Sequence, residues 1–144
     1  MSSDLQLSKE EAVAWLVENN AYSAKMDVDA WLDKFYTADA TVQYANSPAR
    51  SVMDAREMFK AIWAKFDGLE HDVIHVDYVS LCIYHRCDVR YLVKGDDPKT
   101  QKIKVPALAT MLMKRDEDGN LKSYKMEVFI DPSPVFARIS EKGL

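Results

Sequence analysis

Arg86-Cys87-Asp88 lies in a stretch, Cys82 to Lys94, in which polar and apolar residues alternate. Strand side chains alternate with period two, so Tyr84, Arg86, Asp88 and Arg90 share one face and Ile83, Cys87, Val89, Tyr91 and Val93 the other. A later alternating stretch, Leu121 to Asp131, puts Glu127 on the parity of Lys125 and Asp131. Two carboxylates held by the planar fork of one arginine can divide acid from base work, because close like charges in a dry pocket push their pKa values apart. On this reading Asp88 is the acid, Glu127 the base and Arg86 the bridge. Tyr44 and Asn46 alternate onto one face of a third stretch, where they would orient a water or a substrate oxygen. In the competing arrangement the sheet is covered on one side only, and the same charges are cross-strand ion pairs in water.

The elements that must position these residues follow from punctuation and period. Ser8-Lys9-Glu10-Glu11 is a capping box opening a helix to about Tyr22, with Ala12, Trp15 and Leu16 on its buried side. A shorter helix begins at Met26-Asp27 and carries Trp31, Leu32, Phe35 and Tyr36. Thr41 to Asn46 forms a short strand stopped by Ser47-Pro48. Ser51 with Asp54 caps a third helix whose stripe is Ala55, Phe59, Ile62, Trp63 and Phe66, ended by Gly68. Four strands follow, at Glu70–Leu81, Cys82–Lys94, Gln101–Lys114 and Leu121–Asp131, with a hairpin signal at Asp118-Gly119. Pro106 marks its strand as bulged or at an edge. The tail after Asp131-Pro132-Ser133-Pro134 reads as peripheral. Helices first and a meander second predict one α+β domain over residues 1–144, with about three helices on a curved, mainly antiparallel sheet. Aromatic rings over a concave sheet leave a cavity, so Trp31, Phe35, Phe59 and Trp63 are expected to bind an apolar small-molecule substrate.

Composition narrows the classes. The chain has 144 residues, 48% of them hydrophobic, and a net charge of −4. That suffices for a core and lacks the basic stripe of a nucleic-acid binder. Met1 to Leu5 has no leader pattern, and no apolar run is long enough to span a membrane, so a cytoplasmic location is expected. Cys82 and Cys87 fall on opposite faces and read as reduced thiols. His71, His75 and Asp77 share a face by parity, with His85 nearby. Their spacing along a strand is too wide for one ion, so no metal is expected, while His75 or His85 can serve as a general base. Neither a glycine-rich phosphate loop nor a nucleophile elbow is present, and no cofactor is expected.

The order helix, short helix, strand, helix, four-stranded meander, ending in Phe129-Ile130-Asp131-Pro132-Ser133-Pro134, resembles the cone-shaped (cystatin-like) fold of the NTF2-like superfamily and its SnoaL-like enzymes. Tyr44-Ala45-Asn46-Ser47-Pro48 and Arg86-Cys87-Asp88-Val89 resemble short segments of limonene-epoxide hydrolases. That resemblance implies that Tyr44 and Asn46 hold a water, that Glu127 (an aspartate in that family) takes its proton, and that Asp88 protonates the epoxide oxygen. The expected function is a small cofactor-free enzyme of secondary metabolism that isomerises, cyclises or opens a terpenoid- or polyketide-like compound. The alternative is a non-catalytic dimeric module that binds a ligand or a protein. If the helices cover the charged face, the Val, Met and Ile face is left to pair with a second copy, which predicts a homodimer through the sheet.

Overall fold

The structure, a computed structural model, describes residues 7–144. The leader reading of Met1 to Leu5 lies outside the described residues. Four helices and six strands follow in the order α1 (Lys9–Ala24), α2 (Val28–Phe35), β1 (Tyr36–Tyr44), β2 (Arg50–Ser51), α3 (Val52–Trp63), β3 (Phe66–Val79), β4 (Cys82–Val93), β5 (Ile103–Arg115), β6 (Leu121–Ile130) and α4 (Ser133–Glu141). The strands form one sheet in the order β2-β1-β6-β5-β4-β3. Every pair is antiparallel except β1 with β6, which run parallel. No helix among the described residues is long and apolar enough to cross a membrane.

The helix starts follow the expected chemistry. Ser8 Oγ accepts the Glu11 amide at 3.1 Å, Asp27 Oδ1 the Ala30 amide at 3.1 Å, and Ser51 Oγ the Asp54 amide at 3.2 Å. Each satisfies a helix-end amide that has no partner within its own helix. Ala12, Trp15, Leu16, Trp31, Leu32, Phe35, Ala55, Phe59 and Trp63 are buried against the sheet.

Several boundaries differ from expectation, each for a physical reason. The first strand begins at Tyr36, directly after α2, because Tyr36 and Thr37 extend the chain into the core while Asp39 stays outside. Phe66 opens β3 instead of completing the α3 stripe, and Gly68 lies inside that strand. A side chain added at Gly68 would meet Leu92 Cβ at 3.3 Å, so the glycine serves close strand approach rather than helix termination. Pro106 sits in an interior strand. The β6 pairing begins one residue later, at Ala107 with Ile130, so β5 has no neighbour on that side at the proline.

The tail is not peripheral: it contains α4, a fourth helix that buries Val135 and Ile139. Prolines at a helix start are as compatible with a first turn as with a loop, which hid the helix. Arg138 Nε and Nη2 donate to the Asp96 carboxylate at 2.9 and 2.7 Å, and Lys142 Nζ donates to it at 2.6 Å. These cations hold the buried Asp96 carboxyl well below the usual carboxylate range.

Candidate active site

The helices cover the face of β4 that carries His85, Cys87, Val89 and Tyr91, not the face that carries Arg86 and Asp88. The expected parity is therefore reversed. Arg86 is exposed, and Asp88 and Glu127 are partly exposed, on the open side of the sheet. The register explains why the three do not meet. Arg86 lies in the row Arg86-Leu108-Phe129, whereas Glu127 lies in the row Tyr84-Thr110-Glu127. Among the described residues Glu127 has Lys125 as its ionic neighbour, at 3.9 Å, and no ion pair joins Arg86 to either acid. Asp88 stands opposite Asp72, whose charge is taken by Arg90 at 2.7 Å. The Val, Met and Ile face expected to meet a second copy is instead covered by the chain's own helices.

Asn46 does not share a face with Tyr44. The strand ends at Tyr44, and Ala45 takes a left-handed conformation (φ 56°), which breaks the alternation and leaves Asn46 exposed. The histidines also separate. An irregularity in β3 between Val73 and His75 shifts the register, so His71 faces the helices while His75 pairs with Asp77 at 2.8 Å on the outer face. Among the described residues no group of three or more His, Cys, Asp or Glu side chains is assembled around a common point.

Between helices and sheet lies a cavity of about 80 Å³. Its roof is Trp31 of α2 with Phe59 and Trp63 of α3, their rings 5.0–5.5 Å apart. Three of the four aromatic residues expected to bind substrate thus line it. The fourth, Phe35, points to the other side of α2 and packs on Trp15 and Tyr22, at 5.5 and 5.1 Å. The floor is open because β5 contributes only Ala107 and Ala109 where the neighbouring strand carries Cys87 and His85. Large side chains there would fill the space.

Three polar devices face this space. Asn19 of α1 accepts from Trp31 Nε1 at 3.0 Å and donates to Tyr36 Oη at 3.1 Å, and Tyr36 Oη donates to Met126 Sδ at 3.2 Å. This chain fixes one wall. Tyr44 Oη and Tyr91 Oη lie 3.2 Å apart, and burial raises the pKa of both. The third device is imidazole. His85 is 2% exposed and, among the described residues, neither ring nitrogen has a partner; His71 Nδ1 is likewise buried and unpaired there. Burial lowers each imidazole to about 4, with His71 opposing a charge on His85 as well. Both rings are neutral at pH 7. Cys87, close by, is pushed up to about 11 by burial and then by Asp88, so it remains a thiol.

His85 was foreseen only as a possible base. The readable signal was that the apolar parity set of β4 is interrupted at one position, and the residue there is histidine. Tyr91 was placed on that face as packing, while Asn19 carried no signal, since a polar residue on a helix stripe reads as surface.

No protein-family model and no curated protein matches the chain. Solved structures do. One assigned as a SnoaL-like polyketide cyclase from Jannaschia sp. CCS1 superposes with TM-score 0.69 at 18% identity, over 94% of this chain and 96% of that one. AclR from Streptomyces galilaeus, assigned as a hydroxylase, gives 0.70 at 17% identity, over 93% and 98%. A protein from Streptomyces avermitilis, assigned as a dehydratase of the NTF2-like family, gives 0.63 at 15% identity, over 85% and 94%. The chain's four helices on one open, mostly antiparallel sheet superpose on these proteins over most of their length, which gives this chain the NTF2-like fold.

Proposed function

We propose that the protein is a small enzyme that moves a proton within an apolar, oxygen-bearing metabolite, with His85 as the transferring group. The observation that carries this is the His85 ring itself: buried, neutral, and without a partner at either nitrogen. Among the described residues no side chain or backbone group serves these nitrogens, so their hydrogen bonds fall to whatever occupies the cavity. A neutral imidazole offers one acceptor and one donor. The acceptor nitrogen can take a proton from a carbon or hydroxyl next to a carbonyl. The ring then returns it to another substrate atom, so the step is redox-neutral and the proton count closes. Isomerisation, cyclisation and elimination of water are the reactions of this type. In this reading Tyr44 and Tyr91, which line the same cavity, hydrogen-bond a developing enolate.

Epoxide opening by two carboxylates fits less well, since among the described residues none that lines the cavity is acidic. Asp88, Glu127 and Arg86 are therefore not part of the proposed machinery. A binding module without chemistry would use the same cavity. The proteins assigned as cyclase and dehydratase favour the enzyme only by shared fold. A homodimer belongs to the proposal too, through the outer face, where Tyr84, Leu108 and Phe129 are exposed.

The test is deuterium wash-in from D2O at the α-carbon of neutral ketones of one to three rings, followed by NMR. Wild type is expected to accelerate exchange for at least one ketone. His85→Leu should lose that acceleration by about 100-fold with a melting temperature no lower than wild type, the scale of a lost acid/base group. Asp88→Asn and Glu127→Gln should stay near wild type. Full exchange activity in His85→Leu, or its loss in the two carboxylate variants, would remove His85 from the role. Saturable binding without exchange would favour the binding module.

A further inference from the structure

We infer that the part of the substrate entering this cavity is uncharged and no larger than about one six-membered ring bearing oxygen. This deepens the proposed function and rests on the cavity being its site.

Size comes first. At about 80 Å³ the cavity holds the equivalent of only about six waters. Pockets for drug-sized ligands span roughly 300–1,000 Å³. The walls are close-packed rings, Trp31 lying 5.2 Å from Phe59 and 5.0 Å from Trp63, so enlarging the space means repacking a core. A rigid molecule of three fused rings has nowhere to go.

Charge is the second restriction. Among the described residues no Asp, Glu, Lys or Arg side chain lines the cavity. Burial keeps both imidazoles neutral at pH 7, so they offer no cation to a carboxylate or phosphate. A charged ligand would leave water without gaining a counter-ion. Chemistry at His85 supplies the third. One ring nitrogen donates and the other accepts, and a carbonyl or hydroxyl group serves them without carrying charge. The flat aromatic roof suits an unsaturated or ring-shaped body.

The test uses protein with 15N-labelled histidine at pH 7.5, with the His85→Leu protein to assign the ring signals. It is titrated with phenol, with benzoate, which has the same ring but a full charge, and with 9-phenanthrol, which is neutral but has three fused rings. Phenol should move the His85 ring signals at a Kd at least about tenfold below those of the other two. If benzoate or phenanthrol moves them as readily, the size and charge limits fall, while the cavity stands as a ligand site. If none of the three moves them, the inferred ligand class is overturned, and the deuterium assay separately decides whether His85 does chemistry.

Discussion

The two faces of the same sheet carry opposite chemical strategies. The outer face is rich in polar and charged groups that water or a neighbouring side chain already serves: Arg90 with Glu70 and Asp72, and His75 with Asp77. The inner face has few polar atoms, and several of those at His71 and His85 are unserved. Charge density therefore points away from the cavity. What distinguishes the cavity is not how much polarity its surface has but how much of it lacks a partner. Exposed ion pairs contribute about 0–1 kcal/mol each and are cheap to rearrange. An unpaired buried nitrogen is costly, and its hydrogen bonds become available to whatever enters.

Disturbing the inner face should produce the largest effects. Ala109→Phe places a ring in the gap opposite His85. It should abolish phenol binding in calorimetry, weakening it by well over about tenfold, and cost about 1–3 kcal/mol through overpacking. Unchanged affinity would mean that the ligand lies elsewhere. Next in size is an acid response. The His85 imidazole takes up its proton near pH 6.5 in the unfolded chain but at about 4 in the folded one. Between those values the unfolded state binds more protons. Stability is thus full above about pH 6.5 and falls as pH drops towards 4, by about 3 kcal/mol from this residue. Burial shifts His71 in the same direction. Urea titrations at a series of pH values should show this slope in wild type and roughly half of it in His85→Leu. An equal slope in the two proteins would mean that His85 is not buried as described. The smallest effect belongs to the outer face. Phe129→Lys should leave deuterium exchange within about twofold of wild type, while sedimentation detects conversion of a dimer to a monomer. A wild-type protein that sediments as a monomer at micromolar concentration would withdraw the dimer.

Much of the architecture was legible because it rests on local rules. Caps at Ser8, Asp27 and Ser51, the turn at Asp118-Gly119 and period-two alternation each act over a few residues. Which face of β4 meets the helices is a different kind of fact. Both of its faces have a regular pattern, and burial of Cys87, Val89 and Tyr91 beneath rings from two helices is a collective outcome that no single stretch encodes. The Arg-x-Asp pattern drew attention to the outer face because ionisable residues look reactive in sequence, where solvation is invisible. His85 had the opposite problem. A single histidine among apolar residues is unremarkable until both of its nitrogens are seen to lack partners. The cavity itself arises from what β5 omits, and Ala107 and Ala109 carry no signature in a strand. Asn46 was lost to a single left-handed residue, Ala45, which parity counting cannot anticipate.

The irregularity at Ile74 has a consequence beyond the local geometry. Residues before and after it are read in two different frames, so that His71 points inward and His75, four positions on, outward. Removing this one residue would join Val73 directly to His75, and plain alternation would then keep Val76 and Tyr78 inward and His75 and Asp77 outward, as they are now. The bulge is thus the place in this strand where the count can change without moving a side chain from one face to the other.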